Sequence, residues 1–270
     1  VGVTVNLSLA TAQLGAGDAV GDILTSIEKV IGSSYNDVLT ASTTGSVLDG
    51  GSGNDTLNGG NGNDTLISGY GSDIFNGGAG IDTISYEDGS AVNINLNLTS
   101  GQYDGYGYLD VLSNIENIIG SWYNDTFTAS SVANNLNGGK DLSWSKSIDT
   151  VSYASSNAGV NVNLGLATAQ SGGYAAGDIL TSIENVIGSA FADTLTAIAT
   201  GSTLTGGAGA DTLDGGTGSD YVVYSSSTAG VTVNLLTNVN TGGDAQGDIL
   251  SNIENIIGSG FNDSLIGNAS

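Results

Sequence analysis

Aspartates separated by multiples of nine residues mark two stretches of this 270-residue sequence: Asp37, Asp55, Asp64, Asp73 and Asp82, then Asp193, Asp211 and Asp220. Five of them close a glycine-rich hexapeptide of the form Gly-Gly-x-Gly-x-Asp, at Gly50–Asp55, Gly59–Asp64, Gly77–Asp82, Gly206–Asp211 and Gly215–Asp220. Ser68–Asp73 departs from it by one glycine. Carboxylates set among glycines, in a chain without His or Cys, suit a hard cation such as Ca²⁺. Such an ion takes six to eight oxygens, and carboxylates with backbone carbonyls supply them. Glycine serves this twice, because it adopts positive φ at little steric cost and because a missing Cβ lets carbonyls converge on one point.

These loops sit in a nonapeptide repeat. From Gly32 to Ser85 it runs six times without a gap, and from Gly188 to Val223 four times. From Gly120 there are three copies, the third stretched by six residues around Lys140 to Ser145, and one copy starts at Gly258. The second copy of each block carries Ser46, Asn134 or Ser202 where Asp is expected, so no full site is expected there. A hydrophobic residue recurs two places after each Asp position, as Leu39, Leu48, Leu57, Leu66, Phe75 and Ile84, and reads as the core. Tyr86, Tyr153 and Tyr224 lie two residues beyond the last such position of their blocks, a spacing that points them inward as a lid.

A longer repeat frames the blocks four times. Each copy opens on an alternating stretch (Val3–Leu7, Val92–Leu96, Val160–Leu164, Val231–Leu235), continues through a Gly-containing connector, and ends on a segment such as Asp178–Gly188. Period-two alternation with β-branched residues marks half-buried strands. The equivalent glutamates Glu28, Glu116, Glu184 and Glu254 are separated by 88, 68 and 70 residues. The first spacing exceeds the third by 18, which is two nonapeptides, so the pair is read as the physical unit. Aspartates eighteen residues apart then become neighbours on successive coils, about one strand spacing or ~4.8 Å apart. At an effective dielectric of about 20 they repel by roughly 3 kcal/mol. A cation between them reverses the sign and couples folding to metal binding.

The nonapeptide resembles the RTX (repeats in toxin, hemolysin-type calcium-binding) family. The resemblance implies an all-β parallel β-roll or β-solenoid, with two nonapeptides per coil and calcium between turns. It also implies ligand sets of two aspartates eighteen residues apart with carbonyls of both loops. Carried over, one site takes Gly51, Gly53 and Asp55 with Ser68, Tyr70 and Asp73. A second takes Gly60, Gly62 and Asp64 with Gly77, Ala79 and Asp82. A third takes Ser33, Tyr35 and Asp37 with Gly50, Ser52 and Asp55. A fourth takes Ser189, Phe191 and Asp193 with Gly206, Ala208 and Asp211. The third and fourth depart from the pattern, since Ser, Tyr and Phe replace glycines. Asp125, Asp149, Asp220 and Asp263 complete the candidate metal ligands. Type I export, with its signal beyond the C-terminus, is implied by the resemblance alone.

Composition bounds the partners. A net charge of −24, with three Lys and no Arg, repels nucleic acid and anionic membranes. No apolar run is long enough to span a bilayer. Without His, Cys or Arg, and without a Gly-x-Ser-x-Gly elbow, no catalytic constellation is available. The four glutamates recur in one frame and are read as structural, capping or assisting a nearby ion. Asp22, Asp110, Asp178 and Asp248 are treated alike, with extra calcium as the other reading. Trp122, Trp144 and the Tyr103–Tyr108 connector could stack on the rings of a polysaccharide or simply pack, and Lys140 and Lys146 lie in the insertion, a possible contact surface.

The expected architecture is tandem RTX blocks at 32–90, 120–158, 188–229 and from 258 to 270. Strand-rich segments at 1–31, 91–119, 159–187 and 230–257 join them in one elongated solenoid, taken as a fragment of a longer protein. The expected function is a secreted, calcium-stabilised structural or adhesive element (surface layer, matrix fibre or adhesin), not an enzyme, that self-associates head-to-tail or laterally. The alternative is an accessory module of a secreted enzyme that aids its folding and secretion or binds polysaccharide.

Overall fold

A computed structural model describes residues 1–143 and 145–268. Trp144, one of the sugar-stacking candidates, lies outside them. Two compact units are formed, one by Val1–Asp125 with Asn137–Ser147 and the other by Thr126–Leu136 with Ile148–Ser270. The boundary between them falls inside the stretch 120–158.

In the first unit the nonapeptides alternate between two parallel sheets. Odd copies supply Val38–Thr40, Thr56–Asn61 and Ile74–Ala79, and even copies supply Val47–Asp49, Thr65–Ile67 and Thr83–Ser85. The register advances by eighteen residues per coil: Leu39 faces Leu57, which faces Phe75, while Leu48 faces Leu66, which faces Ile84. Two nonapeptides per coil is therefore the observed geometry. The long repeat enters the same ladders. Thr4–Asn6 pairs with Val38–Thr40, Lys29–Ile31 with Val47–Asp49, Leu109–Ser113 with Ile74–Ala79, and Asn117–Ile119 with Thr83–Ser85.

The second unit repeats the plan. Thr150–Ser152, Asn185–Ile187, Thr203–Thr205, Tyr221–Val223 and Asn255–Ile257 follow one another in one parallel sheet. Asn161–Asn163, Thr194–Thr196, Thr212–Asp214 and Ile249–Ser251 form another.

Most strands are three residues long and turn only their middle residue inward. Leu39, Leu48, Leu57, Leu66, Phe75 and Ile84 are all fully buried. A core of one side chain per nonapeptide is thin. Coils can stack this closely because glycine lines the turns: a Cβ on Gly71, at φ +146°, would stand 1.7 Å from the Gly53 carbonyl oxygen of the preceding coil.

The connectors differ from the blocks. Gln102–Tyr103 runs antiparallel to both Leu109–Ser113 and Asn93–Asn95, and antiparallel bridges join Asn161 to Ser171 and Thr232 to Thr241. Each connector is tied back by a buried amide side chain. The Gln13 carboxamide accepts from Asn6 N and donates to Asn6 O (2.7 and 3.0 Å), and Gln102 repeats both contacts with Asn95. Gln170 accepts from Asn163 N, and Asn240 accepts from Asn234 N (2.8 and 3.0 Å). A side-chain amide carries one donor and one acceptor group, so it replaces a missing strand neighbour.

Candidate metal centre

Every acidic rung performs the same backbone task. The Oδ1 of Asp55 accepts the N–H of Asp37 (2.8 Å), that of Asp73 accepts Asp55 N (2.7 Å), and that of Asp110 accepts Asp73 N (3.0 Å). On the other side of the roll, Asp64 accepts Ser46 N, Asp82 accepts Asp64 N, and Glu116 Oε2 accepts Asp82 N. The second unit repeats both rows: Asp193 N to Asp211 and Asp211 N to Asp248, then Ser202 N to Asp220 and Asp220 N to Glu254. Asp149 N likewise donates to Glu184 Oε2 (3.0 Å). Each such aspartate accepts the N–H of the coil before it on its carboxylate and donates its own N–H to the carboxylate of the coil after it, so carboxylates of one row follow one another coil by coil.

The free end of each carboxylate then decides the chemistry. The Oδ2 atoms of Asp55, Asp64, Asp82, Asp211 and Asp220 are buried and have no hydrogen-bond partner. Those of Asp55, Asp64, Asp82 and Asp211 lie against the first glycine of their own loops, where a Cβ would stand 2.4 Å from Asp55 Oδ2 at Gly50 and 2.2 Å from Asp211 Oδ2 at Gly206. A buried unpaired carboxylate oxygen is costly, and a hard cation is the partner that such an oxygen, with neighbouring carbonyls, suits. Among the described residues no group of three or more Asp, Glu, His or Cys is arranged to hold a metal. The donor set on offer is therefore the mixed one, two carboxylates with carbonyls of two loops.

The loops proposed as ligand pairs are adjacent. Gly53 N donates to Tyr70 O and Tyr70 N to Gly51 O (2.7 and 2.9 Å), which joins Gly51, Gly53 and Asp55 to Ser68, Tyr70 and Asp73. Gly60 pairs with Gly78 and Asn61 with Ala79, which joins the loop of Gly62 and Asp64 to that of Gly77 and Asp82. Ser52 N donates to Ser33 O at 3.4 Å, and a Cβ on Gly207 would meet Ser189 O at 2.2 Å. The third and fourth pairs are thus also in contact.

The opening loop of each block is different in kind. Ser33, Tyr35, Ser189 and Phe191 do not take positive φ, and serine closes the carboxylate. Ser121 N and Oγ donate to Asp125 (2.6 and 2.9 Å), and Ser189 N and Oγ donate to Asp193 (2.6 and 2.8 Å). Asp37 is held in the same way by Ser33, and Ser259 Oγ donates to the half-exposed Asp263. Val3, Val92, Val160 and Val231 donate their N–H groups to these four aspartates, so each row begins on the alternating strand of the long repeat. The degenerate loops are also closed by hydrogen bonds, Ser42 N to Ser46 Oγ and Ser130 N to Asn134 Oδ1 (both 2.9 Å).

Asp110, Asp178 and Asp248 take the next rung beyond the nonapeptides, and their Oδ2 atoms accept the hydroxyls of Tyr86, Tyr153 and Tyr224 (3.3, 2.9 and 2.8 Å). These tyrosines are fully buried at the inward position that spacing predicts. Their aspartate partners, 24 or 25 residues on, are not visible in the spacing. Asp104 is a further residue that sequence reasoning passed over. It is fully buried, its Oδ1 accepts from the N–H groups of Tyr106, Gly107 and Tyr108, and its Oδ2 has no partner.

Burial raises the carboxyls of several rungs. Desolvation, opposed by the backbone N–H each accepts and reinforced by neighbouring aspartates, pushes Asp55 and Asp64 up to about 6. Asp110 rises to about 7, and Asp211, facing Asp248 and Asp193, to about 8. A carboxyl raised in the fold favours the metal-free folded state fully below its unfolded value, near 3.8. That contribution is lost as pH rises through 6 to 8. Metal-free protein is therefore expected to melt higher at pH 5 than at pH 8. With millimolar calcium the order reverses, because the ion requires ionised carboxylates. Thermal melts at pH 5 and pH 8, with chelator and with calcium, all in a stabilising osmolyte that keeps the metal-free fold measurable, check this; the same pH trend in both would contradict it.

The RTX calcium-binding nonapeptide repeat matches the chain in four copies, at residues 31–66, 49–84, 187–222 and 250–270. The first three contain all five buried, unpartnered Oδ2 atoms of the glycine-rich loops, while residues 120–136 and the stretched insertion lie outside the matches. No curated protein matches the chain. Repeats of this kind bind calcium, which makes Ca²⁺ the cofactor of the chain.

Proposed function

We propose, for a chain that carries RTX calcium-binding nonapeptide repeats, the role of an extracellular structural or adhesive element whose rigidity is set by calcium. The observation that carries this reading is the ladder itself: each rung binds the next through Oδ1 or Oε2, while the glycine-rich loops keep Oδ2 for an ion. Calcium is abundant outside cells, and sites of this chemistry in extracellular modules bind at about 10⁻⁴–10⁻³ M. The chain would then stay unfolded during export and fold on arrival.

A non-catalytic role agrees with the residue inventory, which holds no His, Cys or Arg. Self-association, head-to-tail or lateral, is part of the proposal, because the open edges of parallel sheets recruit further strands. Electron microscopy and light scattering at 5–10 times the calcium midpoint are expected to show ordered assemblies that disperse in chelator. Monodisperse monomers at every calcium concentration would defeat the structural reading.

A further inference from the structure

Four aromatic side chains converge on one groove in the first unit. Tyr70, Tyr106, Trp122 and Tyr123 line a cavity of about 280 Å³ together with Glu87, Asp88, Gly89 and Ser90. The rings of Tyr70 and Tyr106 lie 4.3 Å apart at 39°. Tyr70, Trp122 and Tyr123 are each about half exposed, an uncommon position for so many large rings in one place.

The groove is built rather than incidental. Tyr106 sits on a loop fixed from beneath by buried Asp104, whose Oδ1 holds three successive N–H groups (2.9–3.1 Å). Its hydroxyl donates to the Asp88 carbonyl. Gly105, at φ +81°, lets this loop approach so closely that a Cβ there would stand 2.6 Å from Ser90 O. The repeat does not require Trp122 or Tyr70. At the position of Trp122 the other three copies carry Ser34, Ala190 and Gly260, and at that of Tyr70 the neighbouring nonapeptides carry Ser52, Asn61 and Ala79.

We infer that this groove binds a neutral pyranose unit of a polysaccharide. Aromatic faces take the apolar face of a sugar ring, while carboxylate, carbonyl and hydroxyl groups at the rim meet its hydroxyls. The volume lies just below the ~300–1,000 Å³ of common small-molecule sites, the scale of a ring rather than of an extended ligand. Charge sets the class. Lys140 pairs with Glu87, which leaves Asp88 as the uncompensated charge among the lining residues and disfavours uronates and other acidic sugars. The inference rests on the calcium reading in one respect, since Tyr70 stands in a calcium loop and is placed by it.

The test uses the full chain in millimolar calcium with Trp144→Phe, so that emission reports Trp122. Cellohexaose, maltoheptaose and β-1,4-galactohexaose are titrated as neutral probes, polygalacturonate as the acidic one and tetramethylammonium as the cationic one. At least one neutral probe is expected to shift the emission saturably. In Trp122→Ala and Tyr106→Ala, with binding followed by calorimetry, affinity should fall at least tenfold while the calcium-dependent circular dichroism stays unchanged. Silence of all three neutral probes, saturation by tetramethylammonium or polygalacturonate alone, or undiminished binding in both variants would overturn the inference. Circular dichroism of the same samples separates the two claims. A chain that folds with calcium but ignores sugar fails here only, and one that does not respond to calcium fails the earlier reading.

Discussion

Excess chelator at pH 7.5 is expected to abolish the β-sheet circular dichroism of this chain and to expand it to the dimensions of an unfolded polypeptide. The rung carboxyls of Asp55 and Asp64, pushed up to about 6, are ionised at that pH. Asp37, Asp55 and Asp73 stand on successive coils, as do Asp64 and Asp82. Charges one strand spacing apart repel by roughly 3 kcal/mol at an effective dielectric of about 20. Against this the fold sets strands of three residues with one inward side chain each. An ion at tenfold excess over its dissociation constant adds about 1.4 kcal/mol, so four occupied loop pairs contribute about 6 kcal/mol. That is comparable with the 5–15 kcal/mol that ordinarily separates a folded domain from its unfolded chain. Far-ultraviolet circular dichroism and hydrodynamic radius across a calcium titration measure it. A full sheet signal in excess chelator would refute the coupling.

The repeating part of this molecule can be read directly from its sequence, because each physical contact maps onto one spacing. Leu39, Leu57 and Phe75 stack because residues eighteen apart share a sheet, and the surplus of eighteen between the long repeats already announces the two-nonapeptide coil. What escapes has no fixed period. Asp110 joins its row 37 residues after Asp73, and Glu116 joins the other row 34 residues after Asp82. The connector has looped out in between and returned in register. Of the glutamates read as capping groups, Glu116, Glu184 and Glu254 are rungs of the ladder themselves, with an extra methylene that reaches the same N–H. Gln13, Gln102, Gln170 and Asn240 occupy equivalent places in the four connectors, so their recurrence was visible. Their task was not, because a buried amide imitating a strand neighbour leaves no mark in hydrophobic periodicity.

Asp55→Asn should change sign with calcium, and it isolates the electrostatic role of a rung from its hydrogen-bonding role. Asparagine keeps an Oδ1 to accept Asp37 N, as Asn134 does for Ser130 N, but it has no charge to offer an ion. In millimolar calcium the variant weakens the loop pairs on both sides of Asp55, costing about 1.4–3 kcal/mol and a melting temperature lower by several degrees. In chelator the same change removes a buried carboxylate that faces Asp37 and Asp73, and the folded state gains up to roughly 3 kcal/mol. An osmolyte such as trimethylamine N-oxide brings that metal-free state into measurable range. Asp55→Ala supplies the contrast, because it also leaves the Asp37 N–H buried without an acceptor and so destabilises in both conditions. Thermal melts of the three proteins with calcium and with chelator give six values. If Asn and Ala behave alike in chelator, the Oδ1 hydrogen bond does not hold the rungs; if Asn is harmless in calcium, the rungs are held by hydrogen bonds alone and the ion is not what joins the coils.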